Sequence, residues 1–342
     1  MPRTSASTTA PRTPAGAVAT ATDDRPDGGL PAAGGTLGRI AGVAAEVGRG
    51  AAGVGSALLP GARGRAVRRW SRSPARDLDD RDSYLLRDLM PLSWALCSAW
   101  FRASVHGLHH VPQEGPVLLV GNHSGGTLSP DSIVFTTAFV SRFGPERALY
   151  LLVHGTDGTW PIGGLLRRLG VLPACRETAA EALAAGSCVL VYPGGERELH
   201  RPSWESARID LGDPADAVRL ALEAGAPIVP VVALGGQETA LFLGPLDRLV
   251  GRRLPARLRP RLPATPVALA APWGVNVGRR LAQLPLPAKI AVQVLPAIDP
   301  VAQFGRGSRR TVDPEEVARH LEATMAEMLE ELQRRRRLPV VG

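Results

Sequence analysis

From Val111 onward, short apolar runs alternate with stretches of helical period, and this constrains the fold more than any other feature of the chain. The apolar runs are Val117–Val120, Ala148–Val153, Cys188–Tyr192, Ile228–Ala233 and Ile290–Leu295. Each has the length and composition of a strand. Helical patterns lie between them, near 131–141, 160–169, 178–185 and 214–224. Strands and helices alternating at this spacing predict an α/β fold, a mostly parallel sheet flanked by helices.

The flanks differ in character. Residues 1–36 are rich in Ala, Thr, Pro and Gly without apolar periodicity, which predicts a disordered tail. Residues 37–80 read as a weak helix and a basic linker, with Arg63, Arg65, Arg68, Arg69, Arg72 and Arg76 around Trp70. That cluster fits either a solvated linker or a Trp-anchored contact with anionic headgroups. The main domain spans 81–310 and opens with N-terminal helical residues 81–104, broken at Pro91. Within it, Leu92 to Phe101 is almost wholly apolar and contains Trp94 and Trp100. It is too short to cross a bilayer and fits either a core segment or an interfacial helix. Residues 245–262 form a Pro- and Arg-rich insertion. Residues 311–342 hold a last helix, from Pro314 to about Gln333, and a basic tail. Asp313 is its N-cap, with Pro314 at N1 and Glu316 at N3. Its stripe of Val317, Leu321, Met325, Met328, Leu329 and Leu332 is expected to pack on the body.

The net charge of +8 calls for an anionic partner: lipid headgroups, a nucleotide-bearing co-substrate or nucleic acid. Nucleic acid is set aside because no stacking aromatics and no known binding module accompany the charge. The three cysteines, Cys97, Cys175 and Cys188, show no CxxC spacing, which excludes a disulfide framework and a structural zinc site. His106, His109 and His110 have no carboxylate at metal-ligand spacing, so no metal is expected. No signal-peptide pattern is present, and the uncharged run Leu262–Gly278 is interrupted by three prolines. The expectation is a cytoplasmic protein, peripheral at the inner face of the membrane.

Two glycine turns carry the chemistry. The first, GNHSGGTLSPD at 121–131, follows directly on an apolar strand and brings His123 out at the carboxyl edge of the sheet, where open α/β folds bind ligands. Asp131 opens the next helix and can orient the imidazole of a general base. The second turn, VYPGGERE at 191–198, ends another strand; Gly194 and Gly195 free backbone N–H groups for an oxyanion or phosphate. His154 and His200 are further histidines placed to line the same cleft.

These stretches resemble the glycerolipid acyltransferases, the lysophosphatidate-acyltransferase-like group, and more closely a branch with features of diacylglycerol acyltransferases. Four blocks match in order between about Leu85 and Leu295: Asn122-His123, Gly170 to Arg176, YPGGERE with Tyr192, Pro193, Gly195 and Arg197 in register, and APIVPVV at 226–232. The usual first block is HxxxxD, yet Leu128 stands where its Asp would be, and Asp131 is the available substitute. The third block has Gly194 in place of the usual Glu, as in the branch that acylates neutral alcohols. The resemblance implies direct acyl transfer from acyl-CoA or an acyl carrier to a lipid hydroxyl, without a cofactor. It makes His123 the base, Asp131 its orienting group and Gly194-Gly195 the oxyanion site. Asn122 and Ser124, on either side of the base, are further candidates for the oxyanion or substrate site, and Glu198 is a partner of the histidine one layer out. Arg176 and Arg197 hold a phosphate, unless each pairs with a nearby acid.

Other classes fit less well. A serine hydrolase built on Ser124 needs a GxSxG elbow, but position 122 is Asn. The GxGxxG match at 48–53 follows no strand and has no acidic partner. The remaining alternative is a lipid- or acyl-CoA-binding protein of the same fold with weak turnover.

Overall fold

A computed structural model describes residues 78–153, 163–245, 266–270, 274–277, 284–307, 310–336 and 338. The tail, the weak helix, the Arg63–Arg76 cluster, His154 and nearly all of the 245–262 insertion lie outside the described residues.

In chain order the elements are α1 (Ser83–Ala95), β1 (Ser104–His106), β2 (Val117–Gly121), α2 (Pro130–Phe143), β3 (Leu149–Val153), α3 (Gly163–Arg168), β4 (Val171–Pro173), α4 (Arg176–Ala184) and β5 (Cys188–Val191). There follow α5 (Gly195–Leu199), α6 (Ala215–Ala224), β6 (Ile228–Leu234), β7 (Leu241–Pro245), β8 (Pro266–Ala270), β9 (Gly274–Val277), β10 (Ala291–Val294), α7 (Pro300–Phe304) and α8 (Pro314–Arg335). The main sheet has the order β1-β10-β6-β2-β5-β3-β4. Strands β6, β2, β5, β3 and β4 run parallel, and β10 reverses direction against β6. The fold is thus a mostly parallel sheet flanked by helices.

Strand β2 is buried along its whole length, which explains its unbroken apolar sequence. Leu118 and Val120 face one core layer with Val189, Val232 and the helices α4, α6 and α8. Val117 and Leu119 face the other, with Leu190, Val231 and the α2 residues Phe135 and Phe139. The α8 stripe packs as its period predicts: Val317, Leu321, Met325 and Leu329 are fully buried against the sheet. Asp313 caps it by accepting the Glu315 N–H, while Glu316 pairs with Arg306 rather than closing a capping box.

Two expectations are corrected. Pro91 does not break the first helix; α1 runs through it to Ala95 and passes into a π-helical turn, Leu96–Trp100. A proline leaves one carbonyl of the preceding turn without its donor, and an exposed helix face lets water satisfy it. The apolar run 92–101 also divides: Cys97 and Phe101 enter the core, while Leu92, Trp94 and Trp100 are exposed. A second sheet, β7-β8-β9, is an antiparallel meander that the sequence did not announce. Among the described residues no helix is long and apolar enough to cross a membrane.

Candidate functional site

Strands β2 and β5 are parallel neighbours, so the turns at their carboxyl ends lie side by side. This brings His123, after β2, against Tyr192, after β5. The two rings stack 4.0 Å apart at an interplanar angle of 10°. Gly121 makes room for that stack, since a Cβ there would stand 2.6 Å from the Tyr192 ring. The Tyr192 hydroxyl bonds the Ser132 hydroxyl at 2.8 Å, and burial holds its pKa well above the usual tyrosine value.

Asp131 reaches His123 in spite of the eight-residue spacing. Gly125 and Gly126 adopt positive φ, a 3-10 turn covers Gly126–Leu128, and Ser129 has φ 43°. This longer loop doubles back and sets Asp131 Oδ2 3.3 Å from His123 Nδ1. The same oxygen accepts the Ser124 N–H at 2.9 Å, and Oδ1 accepts the Ser132 N–H at 2.9 Å. Asp131 is 2% exposed and His123 6%, so the pair sits where charge interactions are little screened. On the other side of the ring, Nε2 lies 3.3 Å from Ser129 Oγ. Ser129 caps α2 by position but makes no side-chain capping bond.

Glu198 meets the same loop from α5. Its Oε2 accepts the backbone N–H of His123 at 2.8 Å, and its Oε1 accepts from Arg201 Nη1 at 3.1 Å. Burial pushes its pKa up to about 7, against the pull of Arg201 and of the His123 and Asp210 N–H groups. Gly194 is packed against this carboxylate: a Cβ there would run into the Asp210 carbonyl and stand 2.8 Å from Glu198 Oε2. A glutamate at 194, usual in the resembled family, would therefore need the space that Glu198 and the 210 loop fill.

Several sequence expectations change. Asn122 does not face the cleft: its amide donates to the Ala233 carbonyl at 2.9 Å and accepts the Ala233 N–H at 2.7 Å, tying the loop to β6. Ser124 is likewise spent on Asp131, by N–H and by Oγ at 3.4 Å. The Gly195 N–H closes the turn onto the Tyr192 carbonyl, so it is not free for an oxyanion, whereas Gly194 N–H has no acceptor among the described residues. Arg176 opens α4 and pairs with Glu223 of α6 at 2.5 Å; a short reach across two helices satisfies it away from the histidine loop. Arg197 is exposed beside Gly212 and has no ion pair among the described residues. His200 packs near Phe242 rather than on the imidazole.

A third turn escaped the sequence reading. After β6, Gly235 and Gly236 carry the chain under the loop, with Gly236 so close to Ser124 that a Cβ would collide with its hydroxyl. Gln237 then donates to the Glu198 carbonyl at 3.1 Å, linking this turn to α5. The Gly-Gly pair directly after the fourth apolar run was the available signal. A small depression lined by Gly125, Leu128, Thr239, Ala240, Phe242, Leu284 and Pro285 adjoins the loop. Among the described residues no cluster of His, Cys, Asp or Glu is arranged to hold a metal.

Fold and site together define an α/β protein with a buried His–Asp pair at the carboxyl edge of a parallel sheet. Residues 102–234, from β1 through β6, match the family model described as Acyltransferase. An uncharacterized protein of Mycobacterium tuberculosis is 32% identical over 203 residues, 58% of this chain and 52% of that protein. The phytyl ester synthase 1 of Arabidopsis thaliana is 31% identical over 139 residues, 40% of this chain and 20% of that enzyme. The "DGAT1/2-independent enzyme synthesizing storage lipids" of Bos taurus is 27% identical over 150 residues, 43% of each chain. The chain spans about half the length, or less, of these relatives. Among solved structures, the 1-acyl-sn-glycerophosphate (LPA) acyltransferase PlsC of Thermotoga maritima has a TM-score of 0.45 at 16% identity, over 76% of this chain and 84% of that one.

Proposed function

We propose that the protein is an O-acyltransferase that moves a fatty acyl group from acyl-CoA or an acyl carrier to the hydroxyl of a glycerolipid or other lipid-like alcohol. The observation that carries this reading is the imidazole of His123, held through Nδ1 by Asp131 with Nε2 turned to a hydroxyl. In the reaction, Nε2 takes the proton of the acceptor hydroxyl as its oxygen attacks the thioester carbonyl. Asp131 holds the tautomer and stabilises the imidazolium. The tetrahedral intermediate then collapses, the C–S bond breaks, and the thiolate leaves with the proton from His123. The N–H of Gly194 is the donor offered to the oxyanion, and Arg197 is the cation offered to a donor or acceptor phosphate. Gly194 in the third block and the names of the plant and cattle relatives, a phytyl ester synthase and an enzyme synthesizing storage lipids, support a neutral alcohol as acceptor. The exposed Leu92, Trp94 and Trp100 support work at a membrane surface, on its cytoplasmic side.

Free thiol release from acyl-CoA, measured across lysophospholipids, diacylglycerol and long-chain alcohols, tests the proposal. Release that requires an acceptor and vanishes in His123→Ala is the expected result. Lipid binding without His123-dependent turnover would instead make the protein a lipid-binding relative of the same fold.

One observation favours a second route. Ser129, His123 and Asp131 lie in line, with Ser129 Oγ on Nε2. Along that route Ser129 would take the acyl group first and pass it on as an ester. Ser129→Ala separates the two: turnover within about threefold of wild type keeps direct transfer, and loss to the level of His123→Ala assigns an acyl-enzyme.

A further inference from the structure

The β7-β8-β9 meander inverts the pattern of a solvated antiparallel sheet, which buries one face and wets the other with polar residues. Phe242, Ala268, Ala270 and Asn276 are buried on its inner face. Its outer face is apolar as well. Leu241 pairs with Leu269, and Leu269 pairs with Val275, so three exposed apolar side chains form one row across all three strands. Val277 extends the face, and Trp204 is 65% exposed on a turn whose Ser203 hydroxyl accepts the Phe242 N–H.

We propose that this outer face docks on an anionic lipid surface, beside the acyl-transfer site. Two observations choose a lipid over other occupants. First, the sequence joining β7 to β8, residues 246–265, holds six arginines, Arg248, Arg252, Arg253, Arg257, Arg259 and Arg261, against the single Asp247. An apolar face whose strands are joined by a cationic stretch matches a bilayer with anionic headgroups above its acyl chains. Second, the sheet that carries this face borders the site through its inner side. Phe242 of β7 lines the depression beside the His123 loop together with Leu284 and Pro285. Pro285 in turn accepts the Trp100 indole N–H at 2.9 Å, which joins the sheet to the exposed apolar side of the N-terminal helix. The inference rests on the lipid substrate proposed above.

The test is sedimentation of the full-length protein with vesicles of phosphatidylcholine alone or with phosphatidylserine added. Wild type should bind the anionic vesicles more tightly. Leu269→Glu with Val275→Glu should lower the partition coefficient about tenfold. Equal binding to both vesicles, or unchanged binding of the double variant, overturns the proposal. A second measurement is independent of any unfolding caused by two charges. An environment-sensitive fluorophore at Val275→Cys, in a Cys175→Ser background, should shift to the blue on anionic vesicles and be quenched by spin-labelled lipid; no shift overturns the proposal. A double variant that turns a dimer into a monomer while vesicle binding persists would assign the face to a second copy of the chain. Vesicle binding is read without turnover, so failure here with His123-dependent thiol release in detergent leaves the acyltransferase reading intact.

Discussion

At the residue scale, the site is a set of substitutions that compensate one another. The resembled family places a carboxylate five residues after its histidine, whereas this chain has Leu128 there and uses Asp131 through a longer loop. Asp131→Asn keeps the shape but removes the anion that holds Nδ1–H, so turnover should fall on the order of 1000- to 10,000-fold, read as kcat with acyl-CoA binding retained. Glu198 is the other buried acid. Its pKa is raised from the usual 4.5 to about 7, so the folded chain keeps a proton that the unfolded chain has already lost between those values. That contribution to stability, on the order of 3 kcal/mol, is complete below about pH 4.5 and disappears as pH rises through about 7. Glu198→Gln does not titrate. The Tm of the variant should therefore gain on that of wild type between about pH 5 and about pH 8, and a constant difference would sink the assignment.

At the scale of elements, the two glycine turns work because β2 and β5 are parallel neighbours. Each turn delivers one ring of the His123–Tyr192 stack, and α5 returns a carboxylate to the backbone of the first turn. Gly194 is the tightest point of this arrangement. Gly194→Ala would push a methyl into the Asp210 carbonyl and the Glu198 carboxylate, and should cost about 1–3 kcal/mol in urea unfolding together with a loss of turnover.

At the scale of the whole molecule, apolar side chains are exposed on two elements that border the site, the N-terminal helix and the β7-β8-β9 meander. Leu92→Ser with Trp94→Ser changes two side chains that are 67% and 62% exposed, so folding should be untouched while binding to anionic vesicles drops several-fold. Unchanged sedimentation would remove the helix from the membrane-contacting surface.

What the sequence determined by itself follows from local physics. Strand β2 and its parallel neighbours are legible because burial on both faces demands unbroken apolar runs, and α8 because one buried stripe imposes its period. The motif positions His123, Tyr192 and Gly194 are legible because they follow directly on such strands. Tertiary structure decided the rest. The carboxylate that meets His123, the Ala233 backbone that takes up Asn122, the turn after β6 and the pairing of Arg176 with Glu223 all join residues distant in the chain or across a looped turn. The second sheet was hidden for a related reason: its strands are short and carry apolar side chains on the exposed face, with Asn276 buried on the inner one, so they lack the apolar-in, polar-out alternation that marks a half-solvated strand, and only their pairing defines them.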